Sequence, residues 1–294
     1  MTPAGLAAAD RDRGVHLLDV NDPTSPQRLG GYETLGWASG LAVAETGEGL
    51  KLYAAAGREV KVLTWRPQEG FLMTDVLHTP GIAHDAAGNE TRLAVADGPV
   101  WNGHDWEPGG LRVLMPDSGQ EAGFYASRDQ AVAVTAVEHR VYLADDADGV
   151  HVYELTPDGL VELRWLDWPG HIRDLAFAPQ NAWVSLPGRG LVATSPDLPE
   201  PFQVQFLYDG LTRVQGVAVD GGRLLVAESL PHADPLLPGQ RFPSRIHVLD
   251  ISQPQQVTAQ AQTATPGQAL DMALAGGYIL LADGDAGLLV YTLE

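Results

Sequence analysis

The chain has 294 residues, 45% of them hydrophobic, with 38 acidic against 18 basic side chains and a net charge of −20. A surface this acidic repels phosphate backbones and anionic lipid, which makes nucleic acid and membrane surfaces poor candidates as partners. No unbroken apolar stretch is long enough to span a bilayer, and the lack of cysteine excludes disulfides and thiolate metal sites.

The opening MTPAGLAAADRDRG has neither a basic leader nor a long apolar core. As encoded, the chain is expected to be soluble and cytoplasmic, and exported or cell-surface if the true start lies further upstream. From there a short phrase recurs: a Gly-ended turn followed by an apolar-x-apolar-apolar run. The first copy pairs LAAAD (6–10) with GVHLLDV (14–20) and a further strand from Gln27. The second reads WASGLAVA (37–44), LYAAA (52–56), EVKVLTW (59–65) and a strand from Phe71. IAHDAA (82–87), LAVAD (93–97), GLRVLMP (110–116) and a strand from Glu121 make the third. The fourth is QAVAVTAV (130–137), VYLAD (141–145), GVHVYEL (149–155) and a strand from Val161. The fifth shows the unit most plainly, as HIRDLAFA (171–178), AWVSL (182–186), GLVATSP (190–196) and FQVQFLYDG (202–210). RVQGVAVD (213–220), LLVAE (224–228), RIHVLDI (245–251) and a strand from Gln255 form the sixth, and QALDMALA (268–275), ILLAD (279–283) and GLLVYTL (287–293) the seventh.

Short alternating segments separated by Gly, Pro, Asp and Asn are antiparallel strands joined by tight turns. A period near 40 residues with four strands per unit, here named A to D, is that of a β-propeller blade. The expected fold is therefore all-β, one propeller domain over residues 1–294 built of four-stranded antiparallel blades. Seven blades are favoured, the first lacking strand A and the last lacking strand D. Six blades, closed by the strand at 27–34, are the alternative, but they would leave residues 6–20 with no place to bury their apolar faces.

ADGDAGLLVYTLE, LLDVNDPTSPQRLGGYETLG and VLDISQPQQV resemble the LVIVD repeat. The units at 181–210 and 49–78 depart from it by lacking the Asp-x-x-x-Pro turn. The resemblance implies a β-propeller of a kind often exported or surface-attached, and it implies no general enzymatic signature.

Function has to be sought where the repeat is broken. His16, His151 and His247 share one column of strand C with Lys61, Arg112, Val192 and Leu289, which marks a position on a sheet face rather than a metal site. The B–C turns with Asp10 and Asp12, Asp146 and Asp148, and Asp283 and Asp285 offer too few oxygens for calcium. Asp85, Asp174 and Asp271 share one column of strand A and are expected to make a repeated structural hydrogen bond. Two B–C connections are exceptionally long: 97–110, with Trp101, His104, Asp105 and Trp106, and 228–244, with His232, Asp234, Arg241 and Phe242. In an antiparallel blade the B–C and D–A connections emerge on one side, so both loops should overhang the strand A entrances at the channel mouth. There the first position holds Trp37, Ile82, Gln130, His171, Arg213 and Gln268, and the next inward holds Ser39, His84, Val132, Arg173, Gln215 and Leu270.

This polar ring under aromatic loops has the make-up of a ligand site, relatively positive for so acidic a protein. The expected ligand set is Trp37, His84, Gln130, His171, Arg173, Arg213, Gln215, Gln268, Trp101, His104, Asp105, Trp106, His232 and Asp234. The reading that follows is a non-enzymatic binding or scaffold protein without cofactor, taking a protein or a small anionic or carbohydrate-like ligand. The alternative is a metal-assisted hydrolase or lactonase with His84, His104, His171 and His232 as ligands and Asp105 or Asp234 as base. A structural unit of a larger assembly, docking through an unpaired strand, is a third reading.

Overall fold

A computed structural model describes residues 6–292 apart from 11–13, 168–170, 187–189, 196–205, 230–243, 284–286 and single residues or pairs in other connections. Among the described residues the elements are strands, with a single 3-10 turn at Asp146–Asp148, and no helix is long and apolar enough to cross a membrane. The strands form seven blades, a β-propeller, and the alternative of six does not apply.

By contact the chain divides into two compact units, Met1–Pro169 and Gly170–Glu294. The first unit holds four blades. Blade 1 has three strands, Leu6–Asp10, Gly14–Asp19 and Gln27–Tyr32, which are strands B, C and D. Blade 2 runs Ala38–Thr46, Gly49–Ala56, Glu59–Arg66 and Gly70–His78. Blade 3 uses Ala83–Gly88, Leu93–Asp97, Gly110–Leu114 and Glu121–Ala126, and blade 4 uses Ala131–Val137, Arg140–Asp145, Gly149–Thr156 and Gly159–Leu166.

The second unit holds three blades. Blade 5 comprises Leu175–Phe177, Ala182–Leu186, Gly190–Thr194 and Phe206–Tyr208. Blade 6 comprises Val214–Asp220, Arg223–Ser229, Ser244–Asp250 and Thr258–Thr265, and blade 7 Ala269–Ala275, Tyr278–Asp283 and Gly287–Thr292. Among the described residues the first blade lacks strand A and the last lacks strand D, as the repeat count requires.

Where blades of one unit pack against each other, strands B and C are buried on both faces, and they therefore read as continuous apolar runs. The core lies between successive blades. Val15, Leu17, Leu52 and Leu63 fill the space between blades 1 and 2, and Tyr53, Val60, Leu93 and Val95 that between blades 2 and 3. Leu111, Val134, Leu143 and Tyr153 join blades 3 and 4. In the second unit Trp183, Leu191, Leu224 and Val226 join blades 5 and 6, and Leu225, Ile246, Ile279 and Leu281 join blades 6 and 7.

The strand A aspartates latch neighbouring blades. Asp85 accepts the Ala86 N–H at 2.8 Å through Oδ1 and the Val134 N–H of blade 4 at 3.0 Å through Oδ2. Asp174 repeats this with Leu175 at 2.8 Å and Val217 of blade 6 at 2.8 Å. The latch needs a small partner at the same column of the adjoining blade. A Cβ on Gly40 would stand 2.6 Å from the Asp85 Cα, and one on Gly216 would stand 3.2 Å from the Asp271 Cα. Asp271 accepts the Met272 N–H at 2.7 Å, and among the described residues its other oxygen has no partner.

Candidate functional site

The mouth residues are set by a feature of strand A. In five blades its pairing with strand B slips by one residue, leaving Ser39, His84, Val132, Gln215 and Leu270 each as the extra residue of a β-bulge. A bulge re-aims its extra side chain out of the pleat. In the first unit the D–A and B–C connections lie on one face. Ala83 donates to the Gly57 carbonyl at 2.7 Å, Thr79 to Arg58 at 3.0 Å, Gly98 to Ile82 at 2.8 Å and Ser127 to Gly109 at 2.9 Å.

On that face His84 and Gln130 come together, Nε2 to Nε2 at 3.4 Å, and both are half-buried. Ser39 donates to the Ala83 carbonyl at 3.1 Å. Trp37 and Ile82 stand exposed beside them in sequence. In the second unit His171, Arg173 and Arg213 are exposed, Gln215 is half-buried, and Ser229 donates to the Arg213 carbonyl at 2.8 Å. Gln268, His232, Asp234, Arg241 and Phe242 lie outside the described residues.

The 97–110 connection is a β-ribbon rather than an irregular loop, with Val100 opposite Glu107 and Trp101 opposite Trp106. Its turn is written in N-G-H-D. Asn102 Oδ1 accepts the His104 and Asp105 N–H groups at 2.9 Å each, Asn102 N donates to the Asp105 carbonyl at 3.1 Å, and Gly103 takes φ +98°. The two indoles pack against each other with centroids 5.6 Å apart and planes at 59°, and both remain exposed. They do not fold under the ribbon. His104 Nε2 lies 3.8 Å from Asp105 Oδ2 at the exposed tip.

The strand C column proved richer than a plain sheet-face position. In blade 3 the Arg112 Nε donates to buried Asp97 Oδ2 at 3.0 Å, and its Nη1 bonds Glu121. Asp97 also accepts the Gly81 N–H at 3.1 Å. Burial, the largest influence, raises the Asp97 pKa despite Arg112 and this N–H. In blade 4 His151 Nδ1 meets Glu162 Oε1 at 2.9 Å, while Nε2 meets Asp148 Oδ2 at 3.2 Å and Asp145 Oδ2 at 3.5 Å. Asp145 further accepts Ser127 Oγ and the Arg128 N–H at 3.1 Å. Burial alone would push the His151 pKa down and that of Asp145 up. Their mutual bond, with Glu162, Asp148, Ser127 and Arg128, outweighs it, raising His151 and lowering Asp145. In blade 6 His247 Nε2 meets Glu228 Oε2 at 2.8 Å. In all three blades the acid is the last or next-to-last residue of strand B, so each pair ties strand C to that end of strand B.

Asp145, Asp148 and His151 are also a described His/Asp/Glu group close enough together to hold a metal, and none of the three belongs to the expected ligand set.

The fold and these positions can be set beside known proteins. The LVIVD repeat matches residues 266–290, within blade 7. No curated protein matches the chain. Among solved structures, a chain of the "Crystal Structure of Mitotic Checkpoint Complex" superposes with TM-score 0.71 at 10% identity, covering 97% of this chain and 83% of that one. The computationally designed Ika8 protein gives 0.64 at 13% identity, covering 99% and 94%. BamB from Moraxella catarrhalis gives 0.64 at 14%, covering 99% and 92%. At such identities the likeness is one of fold alone. The chain is a β-propeller that carries an LVIVD repeat in its last blade.

Proposed function

We propose that the protein is a non-enzymatic binding or scaffold propeller that engages a partner protein through the face bearing the B–C and D–A connections of its first unit. One observation carries this reading. Leu35, Trp37, Ile82, Trp101 and Trp106, all on those connections, are each at least 52% exposed. The other exposed large apolar residues lie mostly on outer strands D, such as Leu72, Met73, Val161 and Leu207, where single exposures are ordinary. Exposed Trp and aliphatic side chains, here with the Trp101–Trp106 pair in contact, are the usual anchors of a protein interface. The net charge favours a partner with a basic rim.

The metal-assisted hydrolase gains no support from the described residues, because His84 is engaged with Gln130 whereas His104 stands at the ribbon tip.

The test compares wild-type protein with Trp101→Ser/Trp106→Ser in quantitative affinity capture from its source cells, followed by binding measurements on the captured partner. Both tryptophans are exposed, so the variant should keep its melting temperature within about 2 °C. Partner affinity should fall at least about tenfold, as expected for loss of interface anchors. Unchanged affinity would remove this face from the interface.

A further inference from the structure

Of the three blades in which a strand B acid pairs with the strand C base (blades 3, 4 and 6), two share a cover over the base that the third lacks. In blade 3 the base Arg112 faces Phe124 across the C–D pair, its guanidinium carbon 4.4 Å from the ring centroid. Two residues further along, beyond a bulge, Leu114 faces Glu121, whose carboxylate bonds Arg112. Blade 4 repeats the arrangement. His151 faces Trp165, with ring centroids 6.3 Å apart and planes at 23°, and Tyr153 faces Glu162, which bonds His151 Nδ1. Each base is thus covered by an aromatic ring and capped by a carboxylate.

In blade 6 the same two places hold Gln262, opposite His247, and Ala259, opposite Leu249. Ring and carboxylate are both missing, and a pocket of about 490 Å³ opens over the base. Glu228 still holds His247 Nε2, but among the described residues Nδ1 has no partner. Arg245, paired across the strands with Glu228, lines the same pocket, is exposed, and has no ion-pair partner among the described residues. Tyr208 and Leu211 of blade 5 close the other wall.

We propose that this pocket binds a small aromatic carboxylate. The ligand ring takes the place that Trp165 and Phe124 occupy in the other blades, lying over the His247 imidazole against Leu211. Its carboxylate takes the place of Glu162, accepting from His247 Nδ1 and pairing with Arg245. Glu228, which also lines the pocket, occupies the imidazole through Nε2, so its charge is paired with His247 and Nδ1 is left to meet the ligand. The site lies within the second unit and is independent of the aromatic face of the first.

The test titrates full-length protein with phenylacetate and benzoate by isothermal calorimetry and ligand-observed NMR, with acetate and benzamide as the non-aromatic and uncharged comparisons. An aromatic acid should bind saturably with a Kd of about 0.1–1 mM, the range expected for a ligand of this size. Acetate and benzamide should bind at least about tenfold more weakly. Arg245→Ala, at an exposed position that leaves the fold intact, should weaken binding at least about tenfold. Gln262→Trp/Ala259→Glu rebuilds the blade 4 arrangement and should abolish binding, with circular dichroism confirming the fold. The inference is overturned if neither aromatic acid binds folded wild-type protein, if acetate binds equally well, or if Arg245→Ala leaves the affinity unchanged.

Discussion

Replacing His151 by Phe tests the buried network of blade 4 and its dependence on pH. The substitution keeps an aromatic ring beside Trp165 but removes both ring nitrogens. Asp145, fully buried, then keeps only Ser127 Oγ and the Arg128 N–H, and Glu162 loses its partner. Removing one member of a buried charged pair costs about 3–5 kcal/mol. His151 titrates above its ordinary 6.5, so its stabilisation is fully present below that value and is lost as pH rises through its raised pKa. Asp145 titrates below its ordinary 3.8, so its contribution is present above that value and is lost only as pH falls through its lowered pKa. The network is therefore strongest in mildly acidic solution. In alkali the neutral imidazole retains ordinary hydrogen bonds worth about 1 kcal/mol each. Urea unfolding followed at pH 5.5, 7 and 9 should show the variant about 3–5 kcal/mol less stable at the lowest pH, with the gap narrowing to about 1–2 kcal/mol at the highest. Parallel stability profiles for the two proteins across this range would refute the reasoning.

The inter-blade latches give a graded series. Asp85→Ala and Asp174→Ala each leave two backbone N–H groups without an acceptor and should cost about 1–3 kcal/mol in chemical denaturation. Asp271→Asn should behave oppositely. Desolvation by the surrounding protein, the largest influence on Asp271, raises its pKa above what the Met272 N–H restores although the side chain itself keeps contact with solvent, so ionisation opposes folding only weakly and stability falls slightly as pH rises through that pKa. The side chain is still open to solvent, so the amide should give a small gain at pH 7 that disappears at pH 3. Gly81→Ala would place a Cβ 1.8 Å from the Gly98 carbonyl oxygen, a contact that only backbone movement relieves. A loss of about 1–3 kcal/mol in thermal unfolding is expected, together with loss of the Gly81 bond to Asp97.

Blade number and strand order were legible in the sequence because each copy repeats the same turn chemistry and the same apolar run. The latch was legible too, since three aspartates recurring at one place in strand A can only serve the repeat. The pairing of Asp97 with Arg112, of Asp145 with His151 and of Glu228 with His247 was not. Both columns are visible, the acid closing strand B and the base in strand C, but their union depends on a cross-strand register that a linear reading does not supply. The buried Thr79 and Ser127 beside them went unread, although T-P-G recurs at 79–81 and 265–267. The bulges are hidden in the sequence for the same reason. An extra residue in strand A is invisible until strand B is laid against it.

Those bulges separate two demands that a sheet usually imposes together. A residue in register must satisfy the pleat and the neighbouring blade's core, so changing it taxes stability. Ser39, His84, Val132, Gln215 and Leu270 stand outside the ladder, and the chemistry they present ranges from hydroxyl and imidazole to amide and plain hydrocarbon. Each of these five inner strands therefore carries one position outside the ladder while its frame is held fixed. A substitution at any of these positions changes what its own blade presents without asking anything new of the fold.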